Sequence, residues 1–194
     1  MFDPIALGRE FFATLQQIDE EIAQMVAAGG CRLCAGPLHR GDYARKPRGA
    51  LMAAAGEEFV MRFSLCCGAE GCRKRATPPS LRFLGRRVYL GAVVIVASIV
   101  AQTLATAKAI GKATGVPERT VRRWRVWWLG PFLATEVWTA MRARILFISV
   151  KEVPASVTGR LVGTPPERVQ RLLEWLGPIT TGTGVGSRAV RDIA

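Results

Sequence analysis

Hydrophobic positions along this chain recur with a helical period far more often than with the two-residue period of strands. Phe11, Leu15, Ile18, Ile22 and Met25 step by three and four residues between Asp3-Pro4 and Gly29-Gly30, which predicts an amphipathic helix ending at about Ala28. That helix reads as packed against its own domain, with dimerisation as the alternative, so a homo-oligomer stays open. The mostly apolar run from Glu57 to Leu65 predicts a strand that turns just before Gly68. From Val88 to Ala107 no residue is charged, a length that can cross a bilayer. Gln102, Thr103, Thr106 and several alanines dilute its second half, however, and favour a buried core helix over a membrane span.

The segment after it has the layout of two helices around a tight turn. A helix over 105–114 is followed by Gly115, suited to a left-handed cap, by Val116, placed to plug the angle, and by Pro117, suited to the first turn of the next helix. On that second helix Val121, Trp124 and Trp128 share one face and should dock on Ile110, Val116 and the helix around Val94 to Ala101. Arg119, Arg122 and Arg123 share another and should point outward. Farther on, Pro117-Glu118-Arg119 through Trp128-Leu129-Gly130-Pro131 is echoed by Pro166-Glu167-Arg168 through Trp175-Leu176-Gly177-Pro178. The echo predicts a second, similar helical pair over about Pro154 to Gly177. Its mixed charges suit packing or protein contact. The last stretch, 180–194, reads as a flexible tail.

Charge sharpens this outline. Of 194 residues 49% are hydrophobic, enough for a substantial core, yet the net charge is +12. Between Gly71 and Thr135 the only acid is Glu118, against twelve lysines and arginines, so nearly the whole imbalance lies in one third of the chain. Such an asymmetric field favours a polyanion, nucleic acid or an anionic membrane. A second basic stretch, Arg40, Arg45, Lys46 and Arg48 around Tyr43 and Pro47, reads either as a phosphate-touching loop tip or as a solvated loop.

Four of the five cysteines form two close pairs, Cys31-Arg32-Leu33-Cys34 and Cys67-Gly68-Ala69-Glu70-Gly71-Cys72. Each pair can present two thiolates from one turn, which is what a tetrahedral Zn²⁺ site requires. A disulfide framework is disfavoured by the odd count, by the short Cys31–Cys34 spacing and by an N-terminus that does not read as a signal peptide. Cys67 is preferred over its neighbour Cys66 as the third ligand, because it stands where the expected strand turns. His39, the single histidine, reads as a surface loop residue. Arg73, Lys74 and Arg75 follow the second pair directly and are expected to meet phosphates.

Cys31-x-x-Cys34, the run Arg62-Phe63-Ser64-Leu65-Cys66-Cys67, then Cys72-Arg73-Lys74-Arg75 and the helical pair after it resemble the zinc-ribbon and helix-turn-helix region of bacterial insertion-sequence transposases and their small accessory proteins. The resemblance spans roughly Cys31 to Trp128. It implies Cys31, Cys34, Cys67 and Cys72 as zinc ligands and Arg119, Thr120, Arg122 and Arg123 as DNA contacts, with Arg125 on the same helix. This chain departs from that pattern in two places: the first knuckle reads Cys-Arg-Leu-Cys-Ala-Gly, and the second pair is stretched by four residues.

Transposase chemistry needs clustered carboxylates holding two metal ions. After Thr135 the chain offers only Glu136, Glu152, Glu167, Glu174 and Asp192, without an alternating strand pattern to carry them. No phosphate-binding Gly-rich loop or Ser/His/Asp set is present either, so no enzyme is expected. The expectation is a mainly α protein with a small zinc-ribbon β insert, a helix-turn-helix domain and a C-terminal helical hairpin. Its parts are an N-terminal helix (1–30), the ribbon (31–80), the helix-turn-helix (81–135), a C-terminal helical region (136–179) and the tail. Bound to Zn²⁺ and double-stranded DNA in the cytoplasm, it would serve a separate transposase or integrase as an accessory or targeting subunit. A DNA-binding transcription regulator is the alternative, and a membrane-anchored zinc protein the third reading.

Overall fold

The computed structural model describes residues 7–48, 57–84, 89–103 and 106–180. Helices dominate, with a small antiparallel β-module between the first helix and the rest. Helix α1 runs Arg9–Ala28; the expected start at Asp3-Pro4 lies outside the described residues, as does the tail beyond Thr180. The buried stripe of α1 is Phe11, Phe12, Leu15, Asp19 and Ala23, whereas Met25, expected on the apolar face, is exposed. The stripe is thus rotated to place an aspartate in line with the core.

Asp19 holds that position because the chain supplies it with partners. Its carboxylate accepts from the Ser80 hydroxyl at 2.5 Å, the Leu81 amide at 2.6 Å and Arg82 Nε at 2.9 Å. Both charged side chains are fully buried. Arg82 also donates to the Phe59 carbonyl at 2.9 Å and lies against the rings of Phe63 and Phe83. A buried ion pair is costly unless most of its remaining donors and acceptors are occupied; here Arg82 Nη2 is left without a hydrogen-bond partner, and the rest of the network ties α1 to the segment that leads into the helical half. Arg82 therefore leaves the basic surface to which its place in the sequence assigns it. Arg86 and Arg87 lie outside the described residues.

Strands β1 (Leu38–Arg40), β4 (Leu65–Cys67) and β5 (Arg75–Ala76) form one sheet in the order β1-β4-β5, with Leu38 opposite Cys67 and Cys66 opposite Arg75. Strands β2 (Tyr43–Ala44) and β3 (Met61–Arg62) form a separate pair. The single strand expected over Glu57 to Leu65 is consequently divided: a 3₁₀ turn at Glu57–Val60 leads into β3, and the chain then crosses to the other sheet as β4. Hydrogen bonds fix the crossing point. The Asp42 carboxylate accepts the Ser64 amide and the Ser64 carbonyl accepts the Gly41 amide, each at 2.8 Å.

Helix α2 (Gly91–Thr103) is the centre of the helical half, and every residue from Gly91 to Val100 is buried. A helix apolar on all sides needs neighbours on all sides, and α3 (Ala107–Thr114), α4 (Glu118–Leu129), a one-turn α6 (Ala155–Thr158) and α7 (Pro165–Leu176) all pack on it. Its 13 residues span about 20 Å at ~1.5 Å per residue, short of a ~30 Å hydrocarbon layer. Among the described residues no helix is long and apolar enough to cross a membrane.

Between α4 and α7, a 3₁₀ turn at Pro131–Ala134 leads to α5 (Glu136–Arg144), capped by the Thr135 hydroxyl accepting the Trp138 amide at 3.1 Å. The sequence echo is visible in space. Both α4 and α7 are 12-residue helices, each followed by a 3₁₀ turn at its Gly-Pro. The expected second pair is incomplete, however: its first member is only the single turn α6, because Pro154 precedes it and Gly159 ends it. Helix α7 is a packing element that buries Val169, Leu172, Leu173 and Leu176, with Glu167 and Thr164 closing its N-terminus. Thr180, expected to begin the tail, is buried and accepts the Ser80 amide at 3.0 Å. Residues from α1, Phe59, α2 to α5 and α7 share one continuous core.

Candidate metal centre and basic helix

Two turns and a strand end bring four sulphurs together. After Cys31 the chain bends sharply, with the Ala35 amide donating to the Cys31 carbonyl at 2.7 Å and the Cys31 amide to the Gly36 carbonyl at 2.9 Å. Across from it, β4 ends at Cys67, and the turn through Gly71 returns Cys72 to the same point, the Cys72 amide donating to the Ala69 carbonyl at 3.2 Å. The thiol sulphurs of Cys31, Cys34, Cys67 and Cys72 all lie within 4.8 Å of one another. Cys31 and Cys72 are 3.8 Å apart, Cys34 and Cys67 3.4 Å. A tetrahedron with metal–sulphur bonds of about 2.3 Å has edges of about 3.8 Å, whereas a disulfide needs about 2.05 Å. All five cysteines are free. The four-cysteine cluster can bind a metal ion.

Protonation points the same way. Leu33 and Cys34 amides donating to its sulphur lower the Cys31 thiol to about 7. The Gly36 amide favours the Cys34 thiolate, but hydrogen bonding with Cys67 and Cys72 outweighs it and pushes that thiol up to about 12. At Cys67 the Ala69 amide, 3.4 Å away, and the Cys34 thiol favour the thiolate, while burial and the Cys72 and Cys31 thiols raise the pKa overall. Four thiolates this close repel one another unless a cation replaces the shared protons.

Cys66 faces away from the cluster: its sulphur lies 3.1 Å from where a Gly41 Cβ would stand. Strand alternation separates it from Cys67, so the structure brings Cys67, not Cys66, to the site. His39 also stays outside, exposed on β1 with its ring against Gly68. Sequence reasoning passes over Gly36. A Cβ there would lie 2.8 Å from Ala69 Cβ and within 3.3 Å of the sulphurs of Cys67 and Cys34, so only glycine admits this approach of the two turns. Its signal was its place two residues after Cys34.

The basic residues divide into tied and outward groups. Arg40 pairs with Glu20 and Asp42, each at 2.7 Å, and so braces the β-module against α1. Arg75 donates to the Gly41 carbonyl at 3.1 Å and Ser64 Oγ at 2.9 Å, bracing the β-module internally. Arg73 and Lys74 are exposed next to the second cysteine turn.

Helices α3 and α4 meet at Gly115-Val116-Pro117. Gly115 takes φ 64° and Val116 is fully buried. On α4, Val121, Trp124, Trp127 and Trp128 are buried, with Trp128 Nε1 donating to Ser98 Oγ on α2 at 3.1 Å. Ring contacts continue from Trp127 and Trp128 through Phe132 to Trp138, which makes these tryptophans core. Burying that stripe forces Arg119, Arg122, Arg123 and Arg125 outward, and all four are exposed, whereas Thr120 is half-buried. Arg122 pairs with Glu118 one turn back at 2.7 Å. The basic face and the sulphur cluster belong to different parts of the fold.

No family model matches this chain, and neither the curated proteins nor the solved structures contain a match to it.

Proposed function

We propose that this is a zinc-dependent DNA-binding protein that serves a separate recombinase as an accessory or targeting subunit. The observation that carries the DNA-binding part is the outward arginine face of α4, fixed by the buried tryptophan stripe on the opposite side. Helices α2, α3 and α4 contact one another pairwise and α3 and α4 are joined by a three-residue turn, an arrangement that suits a helix-turn-helix with α4 as the helix entering the major groove. Zinc is the ion that best matches four thiolate donors in two short pairs, since soft sulphur ligands at tetrahedral spacing select it over hard divalent ions. With metal bound, the β-module would act as a zinc ribbon that presents Arg73 and Lys74 to the phosphate backbone. The accessory role rests on the resemblance of residues 31–128 to transposase DNA-binding regions and on the sparse carboxylates of the C-terminal part.

The test compares two sets of substitutions on a selected duplex and on random duplex DNA. Arg73→Ala and Lys74→Ala should weaken both complexes alike, as phosphate contacts do. Arg123→Ala should cost about 1–3 kcal/mol on the selected site and much less on random DNA, because a guanidinium paired with a guanine edge discriminates between sequences. Equal losses on both duplexes for Arg123→Ala would reduce α4 to a backbone clamp.

A further inference from the structure

The arginine face of α4 carries one exposed apolar side chain at its centre. Val126 is 65% exposed, while Val121, Trp124, Trp127 and Trp128 of the same helix are at most 4% exposed. At about 100° per residue it lies one turn beyond Arg122 and Arg123 and two turns beyond Arg119, at the centre of the arginine face. Helix formation does not call for it, since a β-branched residue is a poorer helix former than the arginines around it. Arg122 leaves it uncovered: the guanidinium is drawn back toward Glu118, one turn in the opposite direction.

We infer that Val126 is a base-reading residue, an apolar contact for the C5-methyl group of thymine. The inference rests on the DNA-binding reading of α4 and adds a specificity to it. On a helix seated in the major groove, side chains on the flanks meet phosphates and those on the central line meet base edges. Arginine can serve either role. Valine is short, has no hydrogen-bonding group and gains nothing from a phosphate. The thymine methyl is the apolar group displayed on the major-groove edge of the unmodified bases. Val126 therefore predicts a thymine at one position of the preferred site, next to positions where Arg119, Arg122 or Arg123 favours guanine.

The experiment uses the full-length zinc-loaded protein and random duplex DNA, first to select a preferred site and then to measure binding to it. Wild type should select a thymine that Val126→Ser no longer selects, with the guanine preferences unchanged. Replacing that thymine by deoxyuridine removes only the methyl group and should weaken wild-type binding about three- to fivefold, the value of burying one methyl-sized group, while leaving Val126→Ser unaffected. The substitution is on the surface, and equal melting temperature and zinc content in the two proteins establish that the fold is intact. The inference is overturned if both proteins select the same thymine, if deoxyuridine weakens them equally, or if wild type binds DNA without base preference. Those outcomes leave DNA binding itself standing. Failure of wild type to bind any duplex at low salt overturns the broader reading together with this one.

Discussion

Removing the proposed zinc with a chelator at neutral pH is expected to dismantle the β-module, and Cys31→Ser or Cys72→Ser should do the same without a chelator. The module has few internal resources. Its strands are two or three residues long, and besides the sulphurs the two cysteine turns meet only where the Gly68 amide donates to the Pro37 carbonyl at 2.8 Å and where Gly36 packs against Ala69. Structural zinc contributes about 10–16 kcal/mol of apparent binding energy in comparable small sites at pH 7, far more than such short ladders supply. Affinity should fall as pH drops, because protons compete for the thiolates and two of these thiols, Cys34 and Cys67, hold theirs more tightly than a free cysteine. Cys66→Ser, outside the cluster, should retain the metal. Elemental analysis of purified wild type should give one zinc per chain. A metal-free protein with five reactive thiols and an ordered β-module would contradict this.

The second large effect is expected far from the metal. Asp19→Ala should destabilise the protein by about 3–5 kcal/mol, the usual cost of breaking a buried ion pair by removing one partner. The loss strands the Arg82 guanidinium in the core and leaves the Ser80 hydroxyl and Leu81 amide without their acceptor. Asp19→Asn, which keeps an acceptor oxygen but not the charge, should fall between Ala and wild type. Denaturant unfolding of the three proteins measures the series. A loss below about 1 kcal/mol for Asp19→Ala would mean that the pair is far more hydrated than its burial indicates.

What the sequence discloses and what it hides follow from how local each feature is. The cysteine pairs were legible because two ligands on one turn leave a short, fixed spacing, and strand alternation settles the choice between Cys66 and Cys67 once β4 is known. The tryptophan stripe of α4 was legible because helical spacing alone separates Trp124 and Trp128 from Arg119, Arg122 and Arg123. Asp19 was hidden. It lies four residues after Leu15 and four before Ala23, a core position by period, but its carboxylate is acceptable there only because Ser80, Leu81 and Arg82 arrive from some sixty residues away. The same long-range pairing removed Arg82 from the basic surface. The break of the expected strand at Phe63-Ser64 was set by Asp42 and Gly41 on another segment, which no local pattern over Glu57 to Leu65 records. The echo around Pro117 and Pro166 correctly marked two similar helices, but it carried no information about the shortened partner α6.

Equilibrium binding of the zinc-loaded protein to duplex DNA, titrated with salt, tests the central claim most directly. Each phosphate neutralised should contribute a slope of about −0.9 in log K against log salt, so a surface engaging about six phosphates should lose about 10³-fold in affinity between 50 and 200 mM salt. Substituting Arg73 and Lys74 together, the proposed phosphate contacts, should flatten that slope. Absence of measurable affinity for duplex DNA at 50 mM salt or below, in protein shown to carry zinc, would contradict the account.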